Sequence, residues 1–134
     1  MKKSFIFIIL FLPAILLFAQ GTENFANFPE SGNSYQDGTF TGQDGSIWTY
    51  WQCRGDILIN PPTPCLGKDR TPEAEVISGL LHNGCGTLSF DYMQGFSTNV
   101  NMDVYVNGLL VATVTSSAQQ GVILNSGPIV VDSP

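Results

Sequence analysis

The groups in this chain able to do covalent or metal chemistry are few: one histidine, His82, three cysteines, and 11 carboxylates in 134 residues. Nucleophilic catalysis through a Ser, His and Asp set, or through Cys and His, needs an imidazole held within reach of its partner. His82 stands in "LLHNGCG", where Asn83-Gly84 reads as a turn, and nearby Cys85 lacks the context of an activated thiol. Zinc calls for three or four well-spaced His, Cys or carboxylate ligands, and no CxxC occurs. Glycoside hydrolysis needs two carboxylates, but nothing in the sequence selects a pair from the 11. The expectation is a noncatalytic chain.

Binding chemistry has better candidates. "DGTFTGQDG" places Asp37 and Asp44 in glycine-containing turns and Glu23 precedes the first strand, so these three are the candidate calcium ligands, since calcium takes hard oxygens from loops. Asp-Gly pairs also serve as plain turns, and no EF-hand spacing is present. For a glycan, the candidates are Trp51 and Tyr105 as stacking platforms, with Asn99, Asn101 and Asp103 as hydrogen-bonding neighbours. The competing account of the aromatic residues is structural: Trp48 packs a core while Trp51 covers a sheet edge or loop.

Between two cysteines lies "WQCRGDILINPPTPC". A Cys53–Cys65 bridge is the first expected disulfide and Cys65–Cys85 the second; closing the Cys53–Cys65 loop would stabilise the fold by about 3 kcal/mol in the chain-entropy picture. Cys85, at a strand start, can equally be a small buried hydrophobe. Arg54-Gly55-Asp56 supports adhesion only if an exposed turn splays its guanidinium and carboxylate. The favoured reading is a structural turn, with Gly55 and Asp56 as turn formers and Arg54 paired to a nearby carboxylate.

These residues must be positioned by strands, because almost nothing reads as helix. In "GCGTLSFDYMQ", Leu88, Phe90 and Tyr92 alternate with Thr87, Ser89 and Asp91, the period of a half-buried strand. In "NVNMDVYV", Val100, Met102, Val104 and Val106 alternate with Asn99, Asn101, Asp103 and Tyr105, and Asn107-Gly108 before "LLVATVT" predicts a hairpin. A two-residue turn pairs Val106 with Leu109 and Val104 with Val111, leaving Leu110, Ala112 and Val114 beside Tyr105; a three-residue turn returns them to the core side. Further strands are expected at "SYQDGTFTG", "SIWTYWQ", "AEVIS" and "GPIVV", with a short one near "NFANF". Many short strands between turn signals predict an antiparallel β-sandwich.

The first 19 residues stand apart. Lys2 and Lys3, an apolar run from Phe5 to Ala19 and the small residue Ala19 read as a secretory signal peptide helix cleaved after Ala19. The run is shorter than the roughly 20 residues a transmembrane helix needs, so no membrane association is expected after cleavage. Residues 20–134 form the expected sandwich. They carry Arg54, Lys68 and Arg70 against 11 carboxylates, a formal charge of −8 that disfavours a nucleic-acid partner.

"FTGQDGSIWTYWQCRGD", "LGKDRTPEAEVISG" and "GCGTLSFDYMQGFSTNVNMDVYVNGLLVATVTSS" together resemble the jelly-roll β-sandwich modules, MAM-like or carbohydrate-binding-like, of secreted multidomain bacterial proteins exported by the type IX route. The resemblance covers most of residues 23–131 and implies an accessory module attached to a nuclease, another hydrolase or an adhesin. It implies passage through the periplasm to the medium or the cell surface. Members of that family continue beyond a segment like "SGPIVVDSP" with further strands, so the resemblance implies a sandwich lacking its last strand or strands. The expected function is a noncatalytic extracellular binding module with glycan as the leading ligand; the alternative is a structural piece of a larger protein with no ligand of its own.

Overall fold

Alternation governs the chain, and the computed structural model, which describes residues 21–57, 59, 62–81 and 84–133, is all-β. The expected signal peptide and His82 lie outside the described residues. Among the described residues ten strands follow one another: β1 (Gln36–Thr41), β2 (Ile47–Arg54), β3 (Cys65–Leu66), β4 (Glu75–Ile77), β5 (Cys85–Leu88), β6 (Asp91–Met93), β7 (Val100–Val106), β8 (Leu109–Ser116), β9 (Ile123–Asn125) and β10 (Ile129–Ser133). They form antiparallel sheets: one of four strands centred on β2, and the pairs β5–β10, β6–β9 and β7–β8.

In the four-stranded sheet β1 lies on one side of β2, with β3 and β4 on the other. The β1–β2 register slips between Gln36 and Gly38, so that Trp51 and Gln52 together face Asp37. Gln52 takes a φ of 49° there, and the Asp37 carboxylate accepts from the Gln52 backbone N–H at 2.7 Å and from its side-chain amide at 3.3 Å. This bulge spends one residue and resets the alternation. Cys53 therefore turns to the same side as Tyr50, and both are buried with Phe28 and Phe40 in one cluster.

Aromatic residues dominate that cluster. Phe28 meets Tyr50 edge-on at 4.9 Å, Phe25 meets Trp48 edge-on at 5.4 Å, and Phe40 stacks on Trp48 at 6.1 Å. Such pairs contribute roughly 0.5–1.5 kcal/mol each beyond the area they bury. The short strand expected near "NFANF" is instead a turn: Asn24 Oδ1 accepts the Ala26 N–H at 2.9 Å and the Phe25 carbonyl accepts the Phe28 N–H at 2.8 Å. The asparagine side chain supplies a local partner that competes with strand pairing, and the turn sends both Phe25 and Phe28 into the cluster. The Tyr50 hydroxyl donates to Glu30 Oε1 at 2.6 Å. Burial and that neighbouring carboxylate both push its pKa well up.

The segment 84–94 forms one ribbon with 123–133, broken in the middle. Met93, Tyr92 and Asp91 pair with Ile123, Leu124 and Asn125, and Leu88 and Thr87 with Ile129 and Val130. At the break Phe90 and Ser126 are tied by two bonds of 3.0 and 2.9 Å, while Gly127 adopts φ 68° and donates to Asn125 Oδ1 at 2.8 Å. The single strand expected over this stretch is therefore two, although the alternation persists: Leu88, Phe90 and Tyr92 are half-buried, and Thr87, Ser89 and Asp91 exposed.

Candidate functional site

The β7–β8 hairpin turns at Asn107-Gly108 with φ of 50° and 76°, the pair of left-handed residues that a two-residue type I′ turn requires. Val106 faces Leu109 and Tyr105 faces Leu110, but the next pair is Val104 with Ala112. A bulge at Val111 thus combines features of both expected registers. Leu110 remains beside Tyr105, while Ala112, Val114 and Ser116 cross to join Val104, Met102 and Val100. On this inner side Val114 and Ser116 are buried and the β7 valines and Met102 half-buried.

The outer side consists of three cross-strand pairs: Asn101 with Thr115, Asp103 with Thr113, and Tyr105 with Leu110. All six side chains are exposed, Tyr105 to 59 % and Leu110 to 55 %. Thr113 Oγ1 donates to Asp103 Oδ1 at 2.6 Å, which fixes the carboxylate above the strands. The Tyr92 hydroxyl donates to the Thr115 carbonyl at 3.0 Å, bracing the far end from β6. The result is a polar strip with a ring and an aliphatic side chain at one end.

Four of the five glycan candidates gather at this strip: Asn101, Asp103 and Tyr105 on it, and exposed Asn99 in the residue before Val100 opens the strand. Trp51 does not join them. It belongs to β2, pairs with Glu75 of β4 and is only half exposed at the edge of the Asp37 bulge. Leu110 stood beside Tyr105 in one of the two expected registers, but the threonines were not among the candidates, because β8 is apolar in either register and only the bulge decides which side each residue takes.

A single buried amide supports the other end of β8. Gln94 is 1 % exposed; its Oε1 accepts from Ser116 Oγ at 3.0 Å and from the Gln119 N–H at 3.1 Å, and its Nε2 donates to the Phe96 carbonyl at 2.8 Å. The Gln94 carbonyl also accepts the Gly121 N–H at 2.9 Å. Gln94 thus joins the end of β6 to the end of β8 and to the loop that leads to β9.

The calcium candidates do not converge. Asp37 holds the β1–β2 bulge at one end of the hairpin, and Asp44 lies in the turn at the other. Asp44 Oδ1 accepts the Ser46 N–H at 2.9 Å and its hydroxyl at 2.5 Å, which shapes that turn. Glu23 uses one oxygen for the Phe25 N–H at 2.6 Å and the other for the Gln43 N–H at 2.8 Å, pinning the N-terminal segment to the same turn. Glu23 and Asp44 line a cleft of about 720 Å³ together with Phe25, Trp48, Leu88 and Phe90. Among the described residues no group of three His, Cys, Asp or Glu side chains is placed to hold a metal ion.

The three cysteines carry free thiols, so the expected bridges are not formed. Register gives the reason for the first: Cys53 faces Leu66 and Arg54 faces Cys65, which sends the side chains of Cys53 and Cys65 to opposite sides of the sheet. Burial pushes the Cys53 thiol up to about 12 and also raises that of Cys65. Neither is poised as a nucleophile.

Arg54-Gly55-Asp56 is closed on itself. The Arg54 guanidinium holds the Asp56 carboxylate through two bonds, Nε to Oδ1 at 2.5 Å and Nη2 to Oδ2, and it lies over the rings of Tyr35 and Phe96 at 5.4 and 5.3 Å. The pairing lowers the Asp56 pKa and raises that of Arg54. Gly55 is buried against Glu30, and its N–H donates to the Gly32 carbonyl at 3.2 Å. The two charges face each other instead of splaying towards a partner.

Comparison of the chain with protein-family models, curated proteins and solved structures returns no match.

Proposed function

We propose that this chain is a noncatalytic, exported binding module of jelly-roll-like β-sandwich type, and that the outer strip of β7–β8 is its ligand surface with carbohydrate as the ligand. The observation that carries the reading is the strip itself: an aromatic ring exposed to 59 % beside a row of hydroxyl, amide and carboxylate groups in which Thr113 fixes Asp103. An apolar platform next to polar groups suits the C–H face and hydroxyls of a sugar. The signal-like first 19 residues support export, through the periplasm to the medium or the cell surface. The excess of carboxylates argues against nucleic acid. A glycan array probed with the purified chain tests the reading. Signal that disappears in Tyr105→Ala and survives in Trp51→Ala supports it; a folded sample with no signal removes it.

A second reading is favoured by a different observation. Ile47, Ile77, Leu80, Leu109, Ile123 and Val130 are exposed to between 45 and 78 %, more apolar surface than an isolated module ordinarily leaves bare. On this reading the chain is a structural piece of a larger secreted nuclease, hydrolase or adhesin, and further domains cover those side chains. Co-expression with the adjoining coding sequence, followed by protection of Ile47 and Ile77 from solvent, distinguishes it from a free-standing module.

A further inference from the structure

Building on the carbohydrate reading, we propose that the β7–β8 strip takes an internal stretch of an extended, neutral, hydroxyl-rich chain, and neither a chain end nor an acidic polymer. Three features of the strip carry this.

The first is its length. From Asn101 to Tyr105 the strand advances about 13 Å, at roughly 3.3 Å per residue, while the partner strand adds only about 5 Å of width. A strip of those proportions is longer than one sugar ring and narrow, so a chain lying along the strands meets all three cross-strand pairs in turn. A single ring would meet only one.

The second is its openness. The strip is the outward side of a hairpin paired from Val100 to Ser116, and no residue of β7 or β8 lines either of the two cavities beside Phe90. Recognition of a chain end needs walls on which the terminal hydroxyls can be counted, and a flat ribbon offers none. It leaves both directions along the strands free, so a chain can run past.

The third is charge. The strip's one ionisable carboxylate is Asp103, held by Thr113, and the cations of the described residues, Arg54, Lys68 and Arg70, lie in or after β2 and β3. Arg54 is committed to Asp56. An acidic polymer would meet the Asp103 carboxylate on a strip that itself carries no cation, whereas neutral hydroxyls can donate to Asp103 Oδ2 and exchange bonds with Asn101, Thr113 and Thr115. Tyr105 and Leu110 then act as the apolar seat for one ring of the chain.

Isothermal titration calorimetry of the full chain with neutral β-1,4-linked oligosaccharides of one to six units, and with polygalacturonate as the acidic probe, tests the inference. Affinity should rise at least tenfold from one unit to four and then level off. Tyr105→Ala should lose at least tenfold, Tyr105→Trp should retain binding, and Asp103→Asn should weaken the neutral chain without creating affinity for polygalacturonate. A monosaccharide bound as tightly as the tetramer, or polygalacturonate bound more tightly than any neutral chain, overturns this inference and leaves carbohydrate binding standing. No binding of any sugar by a folded sample overturns the carbohydrate reading, and this inference with it.

Discussion

Gln94 offers the sharpest test of how the fold holds its candidate surface. Replacing it with Met keeps the volume of the side chain and removes the amide, so the effect is not that of a cavity. Three hydrogen bonds disappear, but their partners differ: Gln119 and Phe96 are exposed and can turn to water, whereas the Ser116 hydroxyl is 5 % exposed and is stranded. Two bonds exchanged for water cost about 1 kcal/mol each, and a stranded buried hydroxyl costs about 1–3 kcal/mol more, for a total of roughly 3–5 kcal/mol. In a domain of this size that lowers the melting temperature by about 10–15 °C. Urea titration followed by tryptophan fluorescence gives the free energy, and hydrogen exchange at Gln119 and Gly121 gives the local opening. Adding Ser116→Ala to Gln94→Met should return about 1–2 kcal/mol, because the stranded group is then gone. If Gln94→Met lies within about 0.5 kcal/mol of the parent, the surface-residue range, and exchange at Gln119 is unchanged, Gln94 does not carry the junction.

Three further outcomes follow from the same structure. Gly55→Ala places a Cβ against the Glu30 carbonyl oxygen, a backbone atom that cannot swing aside, and the expected loss is about 3 kcal/mol or more by chemical denaturation. Cys53, buried and with its thiol pushed up to about 12, should resist Ellman's reagent in the native protein while all three thiols react after unfolding; a Cys53–Cys65 bridge in a non-reduced digest would contradict the β2–β3 register. Deleting Val111 leaves Leu110 facing Tyr105 and Ala112 facing Val104 in an unbroken ladder, with Val114 still on the inner side, so cooperative unfolding should survive; a deletion variant that unfolds without cooperativity would contradict the β7–β8 register.

The alternations over 87–92 and 99–106 were legible because period-two patterning records which side of a strand is covered, and the exposure of each residue follows it. Asn107-Gly108 was legible for a different reason: few residue pairs tolerate two successive left-handed conformations. The bulge at Val111 left no such mark. It uses an ordinary β-branched residue, in a strand whose apolar residues fall on both parities, and the choice between registers is made by burial of Val114 and Ser116 against the rest of the chain. The same holds for Asp37, which reads as a turn or a metal ligand and instead accepts the amide that a bulge at Gln52 sets free. The loop asparagines and aspartates are ambiguous because their short acceptors serve ligands and their own backbone equally well. The break between β5 and β6 was hidden because alternation runs through it undisturbed; its cause lies in Gly127, about 37 residues further on.

The most direct test of the central claim is a titration of isotopically labelled protein with a neutral oligosaccharide, followed by amide chemical shifts. Binding along the strip predicts perturbations confined to Asn101, Asp103, Tyr105, Leu110, Thr113 and Thr115 and their immediate neighbours, with Trp51 unmoved. Shifts centred on Trp51 or on the Glu23–Asp44 cleft, with β7 and β8 unchanged at saturation, would contradict it.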